Sequence, residues 1–512
     1  MISGNRIYDP YYLLQPGIPV SIWYLWMLHI TFAKSSINYC MLSFNISGNY
    51  TDLYEITMGE VYFMENRKDD PVCFDYFFRK IPFQGGYVLF AGLHELLQIL
   101  EDLHFTGEDI AFLRKLNFHP SYIDFLESFQ FRGSVYSVSE GEVVFPNCPI
   151  LRVEGNQFEA QLVETLLLNF LNFESLIATK ASRMRYVAGN RVLSDFGLRR
   201  AHGPGGVLAA RAAIVGGFDS TSNVYAAGLY GLEVAGTMAH SFIESYDSEI
   251  EAFRAFAKTR PGQCIFLVDT YDTLNSGVPN AITVAKEMEK QGYQAAGIRL
   301  DSGDLAWLSK AARKMLDEAG LSYMKIIASN QLDEFVIKSL LEQHAPIDIF
   351  GVGTRLVTGH PDAALDGVYK LSMACGKPRL KLSESLQKVT LPGIKQVMRV
   401  MDENGQFFGA DAVVLSEEEK TSTIYHPFEA GTSFNIKHFN QEFLLQKVME
   451  NGKRLLPEPS LHDITGYAKK RLALLPAEYR RFENPHIYKV GISKKLMELR
   501  NNLAGQHKTA QK

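Results

Sequence analysis

A series of short apolar segments, each followed by polar residues and then by a helical pattern, constrains the fold of this chain more than any other feature. The segments are 265–268, 295–300, 325–328 and 347–352. Their spacing, roughly thirty residues, is that of a strand–helix unit in a parallel sheet. Because aspartate, serine, asparagine, glycine and threonine follow the segments and do not precede them, the sequence predicts an α/β barrel. Its site should lie at the carboxyl ends of the strands.

The stretch 194–246 precedes these units and concentrates basic residues. It opens with the pair Arg199 and Arg200, and near its end the apolar run 232–235 is followed by Thr237 and His240. This order predicts a strand, a tight turn and a helix, which places Thr237 and His240 at the carboxyl end of a strand. The alternative is that the arginines lie on a solvated face and that His240 packs inside a helix.

Length and charge limit the possible functions. The chain has 512 residues, enough for two or three domains, and a formal net charge of −5, which argues against non-specific nucleic-acid binding. The five cysteines are scattered, without a CxxC pair or a histidine at ligand spacing. We therefore expect free thiols, a cytoplasmic location and no zinc site.

The first forty-odd residues do not match the rest of the chain. The aromatic run 19–33 is too short to span a bilayer and lacks the basic start and cleavage site of a signal peptide. We expect residues 1–44 to be an extension outside the fold, either disordered or added by a start codon upstream of Met41. We expect no membrane span, and a peripheral membrane contact is the alternative for this extension.

Segments on both sides of the repeats have mixed α and β character. The first helix is expected to take Thr51 or Asp52 as its N-cap. After Tyr369 further strand-like pieces occur, and they are expected to pack back on the first part of the chain. The other predicted elements are helices at 51–66, 88–100, 158–181, 305–318, 333–341 and 461–503, and a strand at 72–79.

Ionisable and small polar residues cluster in the predicted loops after the strands. Arginines suit a carboxylate or phosphate ligand, and a Gly-Val-Gly-Thr turn exposes backbone N–H groups to a phosphate. Aspartates can hold Mg²⁺ on a polyphosphate through one or two carboxylates plus substrate oxygens. For Asp304, and less strongly for Asp301, a helix cap is the competing interpretation. The set comprises Arg199, Arg200, His202, His240, Asp269, Asp272, Arg299, Asp301, Asp304, Ser329, Asn330, Gly351, Gly353 and Thr354. These residues alone indicate a barrel enzyme that acts on an anionic, phosphorylated substrate with magnesium.

Long motifs of this chain resemble, one after another and in the same order, those of nicotinate phosphoribosyltransferase, a type II phosphoribosyltransferase family. They extend from about Tyr50 to past residue 400, and the first forty residues have no counterpart. The motifs are TDLYEITMGEVYF, FDYFFRKIPFQGGYVLFAGLHELL, FGLRRAHGPGG, GGFDSTSNV, AGTMAHSF, VDTYDTLNSGVPN, GIRLDSGDL and FGVGTRLVTGHPDAALDGVYKL.

The resemblance implies an α/β fold with two domains. An irregular (β/α) barrel over 181–400 would be the catalytic domain, beside an α+β domain formed by 45–180 and completed by about 400–512. It also implies a homodimer with shared active sites, in which the first domain of one subunit closes the barrel mouth of the other. No nucleic-acid partner is expected.

The resemblance further implies the reaction. Nicotinate and phosphoribosyl pyrophosphate would give nicotinate mononucleotide and pyrophosphate, the first step of NAD synthesis from nicotinate, while the co-substrate ATP is hydrolysed to ADP and phosphate. The histidine of the motif GTMAH, His240, would be phosphorylated by ATP. Substrate contacts carry over to Tyr54, Arg199, Thr237, Arg299, Gly353 and Thr354. Asp269 and Asp301 are the candidates for holding Mg²⁺ or Mn²⁺, or the ribose hydroxyls. His202 stands where glutamine is common, a change expected to be tolerated.

Two rival functions stay open on the sequence. One is nicotinamide phosphoribosyltransferase, which has the same fold and uses a neutral base. Tyr54 in TDLY and the run GLRRAHGP favour the acid. The other is a ligand-binding relative that has lost turnover, and the presence of both His240 and the Asp-Ser-Gly-Asp loop argues against it.

Overall fold

Three large sheets, one of them parallel, and the small sheet β2-β4 organise the structure, a computed structural model that describes residues 46–382, 389–429, 431–455, 457 and 459–510. The predicted extension 1–44 lies outside these residues. The helices are α1 Leu53–Met64, α2 Leu93–Asp102, α3 Gly107–Lys115, α4 Pro120–Glu127, α5 Gln157–Leu162, α6 Glu164–Ala188, α7 Gly205–Val215, α8 Val224–Tyr230, α9 His240–Glu244, α10 Glu249–Thr259, α11 Val278–Lys290, α12 Leu305–Glu318, α13 Glu334–Glu342, α14 Thr354–Val357, α15 Leu461–Leu474 and α16 Lys494–Ala510. The strands are β1 Pro71–Phe78, β2 Val88–Leu89, β3 Ser134–Ser137, β4 Val143–Val144, β5 Leu151–Asn156, β6 Val192–Asp195, β7 Ser220–Thr221, β8 Ile265–Leu267, β9 Gly297–Leu300, β10 Lys325–Ser329, β11 Ile349–Val352, β12 Gly367–Ala374, β13 Lys377–Pro378, β14 Lys395–Met401, β15 Phe407–Leu415, β16 Thr423–Tyr425, β17 Ser433–Asn435, β18 Asn440–Phe443, β19 Gln446–Glu450, β20 Lys453–Arg454 and β21 Lys489–Ile492.

The parallel sheet carries the predicted strand–helix repeats. Its strand order is β7-β6-β11-β10-β9-β8, and every ladder in it is parallel. Neighbouring strands come very close at Gly297, where a Cβ atom would lie 2.2 Å from the carbonyl oxygen of Lys325, so only glycine fits. Since all strands run the same way, their carboxyl ends meet at one edge of the sheet.

The helices after the strands begin where the sequence places a capping carboxylate. Asp304 accepts the backbone N–H of Trp307 at 3.0 Å and starts α12, whose inner face buries Leu308, Ala312 and Leu316. Burying a leucine of this kind contributes about 1.5–3 kcal/mol. Asp333 caps α13 in the same way. The helices predicted at 305–318 and 333–341 are therefore observed, and Asp304 does act as a cap.

Three predicted elements differ from the structure. The helix expected at 461–503 is divided into α15 and α16, because the chain between them forms strand β21, which pairs with β15. The run 232–235 was expected to form a strand, but within the described residues it makes a single bridge, Val234 to Thr221, because its partner β7 gives way to the N-cap of α8 at Asn223. The helix expected at 88–100 begins only at Leu93. The segment before it is strand β2, which pairs with β4, and Gly92 turns the chain with a φ of 93°.

Segments from both ends of the chain share an antiparallel sheet of order β13-β12-β1-β5-β3-β19-β20. Two pairings in it join distant segments: β1 with β12, and β3 with β19, which brings Val135 to Met449. A third sheet, of order β17-β16-β21-β15-β14-β18, is connected to the first part of the chain by the buried Arg399. Its guanidinium donates to Glu142 and Asp411, and removing one partner of such a buried pair typically costs about 3–5 kcal/mol.

The helical stretch 157–188 is long and apolar enough to cross a membrane, but 67% of its most apolar window is buried inside the fold. Its charged residues are paired there. Lys180 Nζ lies 2.6 Å and Arg183 Nε lies 2.9 Å from the two carboxylate oxygens of Glu334 at the start of α13. These buried pairs identify α6 as a core helix between the parallel sheet and the rest of the fold.

The predicted α/β class, with a parallel sheet and helices, is confirmed. Closure of the parallel sheet into a barrel and the domain boundaries at 180 and 400 remain predictions.

Candidate active site

A cleft of about 420 Å³ lies at the carboxyl ends of the parallel strands β6, β7, β8 and β9. It collects residues from the loops after β6, β7 and β9 and from the segment before α9, as expected for the ligand edge of a parallel sheet. The lining residues are Phe196, Leu198, Arg199, Ser222, Gly236, Thr237, Met238, Ala239, His240, Leu267, Arg299 and Asp301. Five of the predicted site residues are thus brought together: Arg199, Thr237, His240, Arg299 and Asp301.

Arg299, on β9, is the most firmly held cation of the cleft. Its Nε donates to Ser329 Oγ at 2.8 Å, its Nη1 to Thr237 Oγ1 at 3.2 Å and its Nη2 to Asp301 Oδ1 at 2.8 Å. The guanidinium carbon lies 5.4 Å from the centre of the Phe196 ring, and only 12% of the side chain is exposed. A guanidinium fixed by these contacts presents a preorganised positive charge to an anionic ligand.

Asp301 and Asp269 are tied to each other through the backbone. Asp269 Oδ2 accepts the backbone N–H of Asp301 and the hydroxyl of Ser302, both at 2.7 Å. Burial alone would raise the pKa of Asp301, but the Ser329 hydroxyl and the Arg299 guanidinium outweigh it and hold this pKa below its ordinary value. Both contacts favour the charged form, so Asp301 brings a carboxylate to the cleft.

His240, the first residue of α9, lies between a hydroxyl and these two carboxylates. Its Nδ1 is 3.1 Å from Thr270 Oγ1, while its Nε2 is 3.8 Å from Asp301 Oδ2 and 4.0 Å from Asp269 Oδ1. With 38% of its side chain exposed, the imidazole is open to the cleft. The alternative of a histidine packed inside a helix does not describe this position.

The carboxylates offer two oxygens to a cation. Asp269 Oδ1 is buried and has no hydrogen-bond partner, and Asp301 Oδ2 faces the same side of His240. Among the described residues no group of three or more metal-ligating side chains occurs. Such a pair does not enclose an ion by itself, but it fits Mg²⁺, which usually takes one or two carboxylates plus substrate oxygens and waters.

Other predicted residues lie in a different cleft, or they form turns, caps and close contacts with the backbone. Tyr54 lines a separate cleft formed by α1, α6 and residues 363–365. Gly353 follows β11, and a Cβ there would lie 3.1 Å from the carbonyl oxygen of Phe196; Thr354 starts the short helix α14. Asp272 accepts the N–H groups of Leu274 and Asn275, so it acts as a cap.

Two contributors to the site were not singled out by sequence reasoning. Phe196, directly after β6, presents its ring to the cleft under Arg299. Thr270 contacts His240. Their positions after strands β6 and β8, beside residues that were singled out, are the signal that could have identified them.

Comparisons with known proteins identify the family of this chain. A sequence model of the nicotinate phosphoribosyltransferase (NAPRTase) family matches residues 192–417, and models of the N-terminal and C-terminal domains of nicotinate phosphoribosyltransferase match 50–172 and 394–500. Nicotinate phosphoribosyltransferase of Bacillus subtilis is 44% identical over 454 residues, which cover 87% of this chain and 92% of that protein. That of Dictyostelium discoideum is 38% identical over 515 residues, covering 88% and 87%.

A solved structure shows the same similarity in three dimensions. The crystal structure of human nicotinic acid phosphoribosyltransferase matches with a TM-score of 0.80 and 31% sequence identity, over 88% of this chain and 99% of that one. Because the family and domain models together span most of the described residues and the relatives are aligned over nearly their whole length, the chain belongs to the nicotinate phosphoribosyltransferase family.

Proposed function

We infer that the chain joins nicotinate to phosphoribosyl pyrophosphate, giving nicotinate mononucleotide and pyrophosphate. The pyridine nitrogen forms the new bond to the ribose carbon that pyrophosphate leaves, so no redox partner is needed. Membership of the family supports this reaction. The observation that carries it is Arg299, which is fixed by the hydrogen bonds that it donates to Ser329, Thr237 and Asp301, at the edge of a cleft that also contains Arg199.

The cleft suits a flat acid better than its amide. A guanidinium forks onto a planar carboxylate with two hydrogen bonds between opposite charges, whereas an uncharged amide offers one acceptor oxygen and no negative charge. The ring of Phe196 offers an aromatic face beside this cation. These contacts favour nicotinate over nicotinamide. Retention of His240 between Asp269 and Asp301 favours an active enzyme over a ligand-binding relative.

We propose that ATP phosphorylates His240. The negative carboxylates of Asp269 and Asp301 lie 4.0 and 3.8 Å from Nε2 and favour the tautomer with its proton there, which leaves the lone pair of Nδ1, beside Thr270, as the nucleophile. Attack on the terminal phosphate forms the N–P bond and releases ADP, and water later cleaves that bond to give phosphate. The phosphohistidine helps to position the substrates and the departing pyrophosphate.

Asp269 Oδ1 and Asp301 Oδ2 would also hold Mg²⁺ or Mn²⁺, because a carboxylate oxygen has two lone pairs and can face both a metal ion and Nε2 of His240. The metal supplies positive charge to the pyrophosphate oxygens. The remaining work falls to this chain's own side chains: Arg299 binds an anionic substrate, and Ser329 and Thr237 keep its guanidinium in place.

We also propose a homodimer with shared sites, within the cytoplasmic setting that the free thiols suit. Tyr54, a predicted substrate contact, does not line the cleft of His240 in its own chain. Its helix α1 exposes apolar side chains, with Leu53 61% and Tyr54 47% exposed. A second subunit that covers α1 would bury this surface and carry Tyr54 to the mouth of the partner's cleft.

Replacing His240 separates ATP coupling from base transfer. We expect His240→Ala to lose labelling by ATP that carries radioactive γ-phosphate and to lose stimulation by ATP. Slow ATP-independent synthesis should persist, because transfer itself needs positioning and a good leaving group. His462→Ala, at an exposed position of α15, is the control and should label normally. Full ATP-coupled turnover in His240→Ala would contradict the assignment.

Replacing Arg299 tests the anion contact. Arg299→Ala removes a charge-assisted, partly buried contact worth about 1.5–3 kcal/mol, so the KM for nicotinate or for phosphoribosyl pyrophosphate should rise about 10- to 100-fold. Steady-state assays with nicotinate and with nicotinamide measure this loss. Arg254→Ala, which breaks an exposed pair with Glu287, should leave both constants unchanged. If the KM is unchanged in Arg299→Ala, the proposed role of Arg299 is refuted. If the wild-type enzyme prefers nicotinamide to nicotinate, the proposed selectivity for the acid is refuted.

Mixing two variants that are impaired in ATP-coupled synthesis tests the shared site. If Tyr54 acts across the dimer, each heterodimer of Tyr54→Ala and His240→Ala contains one intact site and one doubly altered site. After unfolding and joint refolding, random pairing should restore about a quarter of wild-type activity. A mixture no more active than the separately refolded variants would place Tyr54 in its own chain's site.

A further inference from the structure

Glu55 is a buried acid directly after Tyr54 in α1. Its exposed fraction is 1%, although it lies in the first turn of a helix that exposes Leu53 and Tyr54. Neither carboxylate oxygen makes a hydrogen bond of good geometry, and within the described residues no cation pairs with it. An unpaired carboxylate in such a place is costly, so the protein favours its uncharged form.

The groups around Glu55 do not supply a positive charge. On α5 and α6 they are Gln161 and Glu164. Gln161 Nε2 donates to Glu164 at 3.1 Å, and the nearby cation Lys370 lies 3.4 Å from that same glutamate. The remaining facing groups are Asp52, Tyr54, Tyr62 and Tyr369.

These surroundings set the titration of Glu55. Burial raises the pKa of Glu55 to about 7. The side chain of Gln161 lowers this pKa, and the negative charge of Glu164 raises it. Tyr54 faces the same carboxyl: burial and the charges of Glu164 and Glu55 raise the pKa of its phenol. Tyr54 therefore remains a hydrogen-bond donor across the range in which Glu55 loses its proton.

We propose that Glu55, in its uncharged form, is a positioning residue for Tyr54, and that its ionisation weakens nicotinate binding. This inference rests on the proposed function, in which Tyr54 contacts substrate. An uncharged Glu55 competes weakly for the Tyr54 hydroxyl and leaves that side chain at the surface, where 47% of it is exposed. An ionised Glu55 is a stronger acceptor that no cation neutralises, so it draws the neighbouring hydroxyl of Tyr54 inward.

The pH dependence of KM tests the proposal. If binding of nicotinate requires a proton on Glu55, the wild-type KM should rise about tenfold from about pH 6 to about pH 8, at nearly constant kcat. Glu55→Gln copies the uncharged acid in size and cannot ionise, so its KM should stay flat over this range. Glu65→Gln changes an exposed acid at the end of the same helix and should keep the wild-type profile.

Thermal unfolding of the same variants gives a readout independent of activity. The pKa of Glu55 is higher in the folded chain than in the unfolded chain, so wild type loses stability as pH rises from the unfolded value of about 4.5 to about 7. Glu55→Gln should thus gain in Tm over wild type as pH rises through this window, and the two should differ least at its acidic end.

The outcomes are distinct. Superimposable KM profiles of wild type and Glu55→Gln would overturn this proposal alone, even where Tm separates them, because they would leave Glu55 a purely structural role. A wild-type protein without nicotinate turnover at about pH 6, where Glu55 is protonated, would overturn the proposed function and this proposal with it.

Discussion

The ion pair of Arg299 with Asp301 is the contact on which the rest of the site depends. Its two residues stand at the end of β9, and the hydroxyl of Ser329, at the end of β10, bonds to both of them. Asp269, after β8, accepts the backbone N–H of Asp301. Three adjacent strand ends are therefore held by one network, and loss of any member would release the others.

The same network sets the charge that a ligand meets. Asp301 Oδ1 is occupied by the guanidinium of Arg299, so only Oδ2 is free to face His240, together with Oδ1 of Asp269. Arg299 therefore lies on one side of Asp301, at Oδ1. His240 lies at Oδ2, where Asp269 Oδ1 also faces the imidazole. This division gives one small cleft both the positive charge that the proposed anionic substrate would need and the negative charge that the proposed metal ion would need.

Local chemistry made much of this predictable. The apolar runs before Asp269, Asp301 and Ser329 indicated strands, and the cap at Asp304 fixed the start of α12, because capping depends on residues only a few positions apart. The run 232–235 has the composition of a strand, but its partner strand β7 is too short to pair with all of it. A segment's own sequence does not show which partner it will find, so this difference was not predictable.

Long-range placement was beyond the sequence for the same reason. The resemblance grouped Tyr54 with His240 as site residues, yet in the single chain the two line different clefts. No local pattern shows that the ring of Phe196 lies beside Arg299. The two residues belong to β9 and to the loop after β6, which are not neighbours in the sheet because β11 and β10 lie between them. The burial of Glu55 beside an exposed tyrosine likewise follows from the packing of α1 on α5.

Identification of the phosphorylated nitrogen tests the arrangement around His240 most directly. The enzyme would be phosphorylated with ATP, digested in alkali, and the product compared by phosphorus NMR with the two isomers of phosphohistidine. Because Asp269 and Asp301 face Nε2 and Thr270 faces Nδ1, phosphate should be found on Nδ1 of His240. Phosphate on Nε2, or on any other residue, would contradict this account.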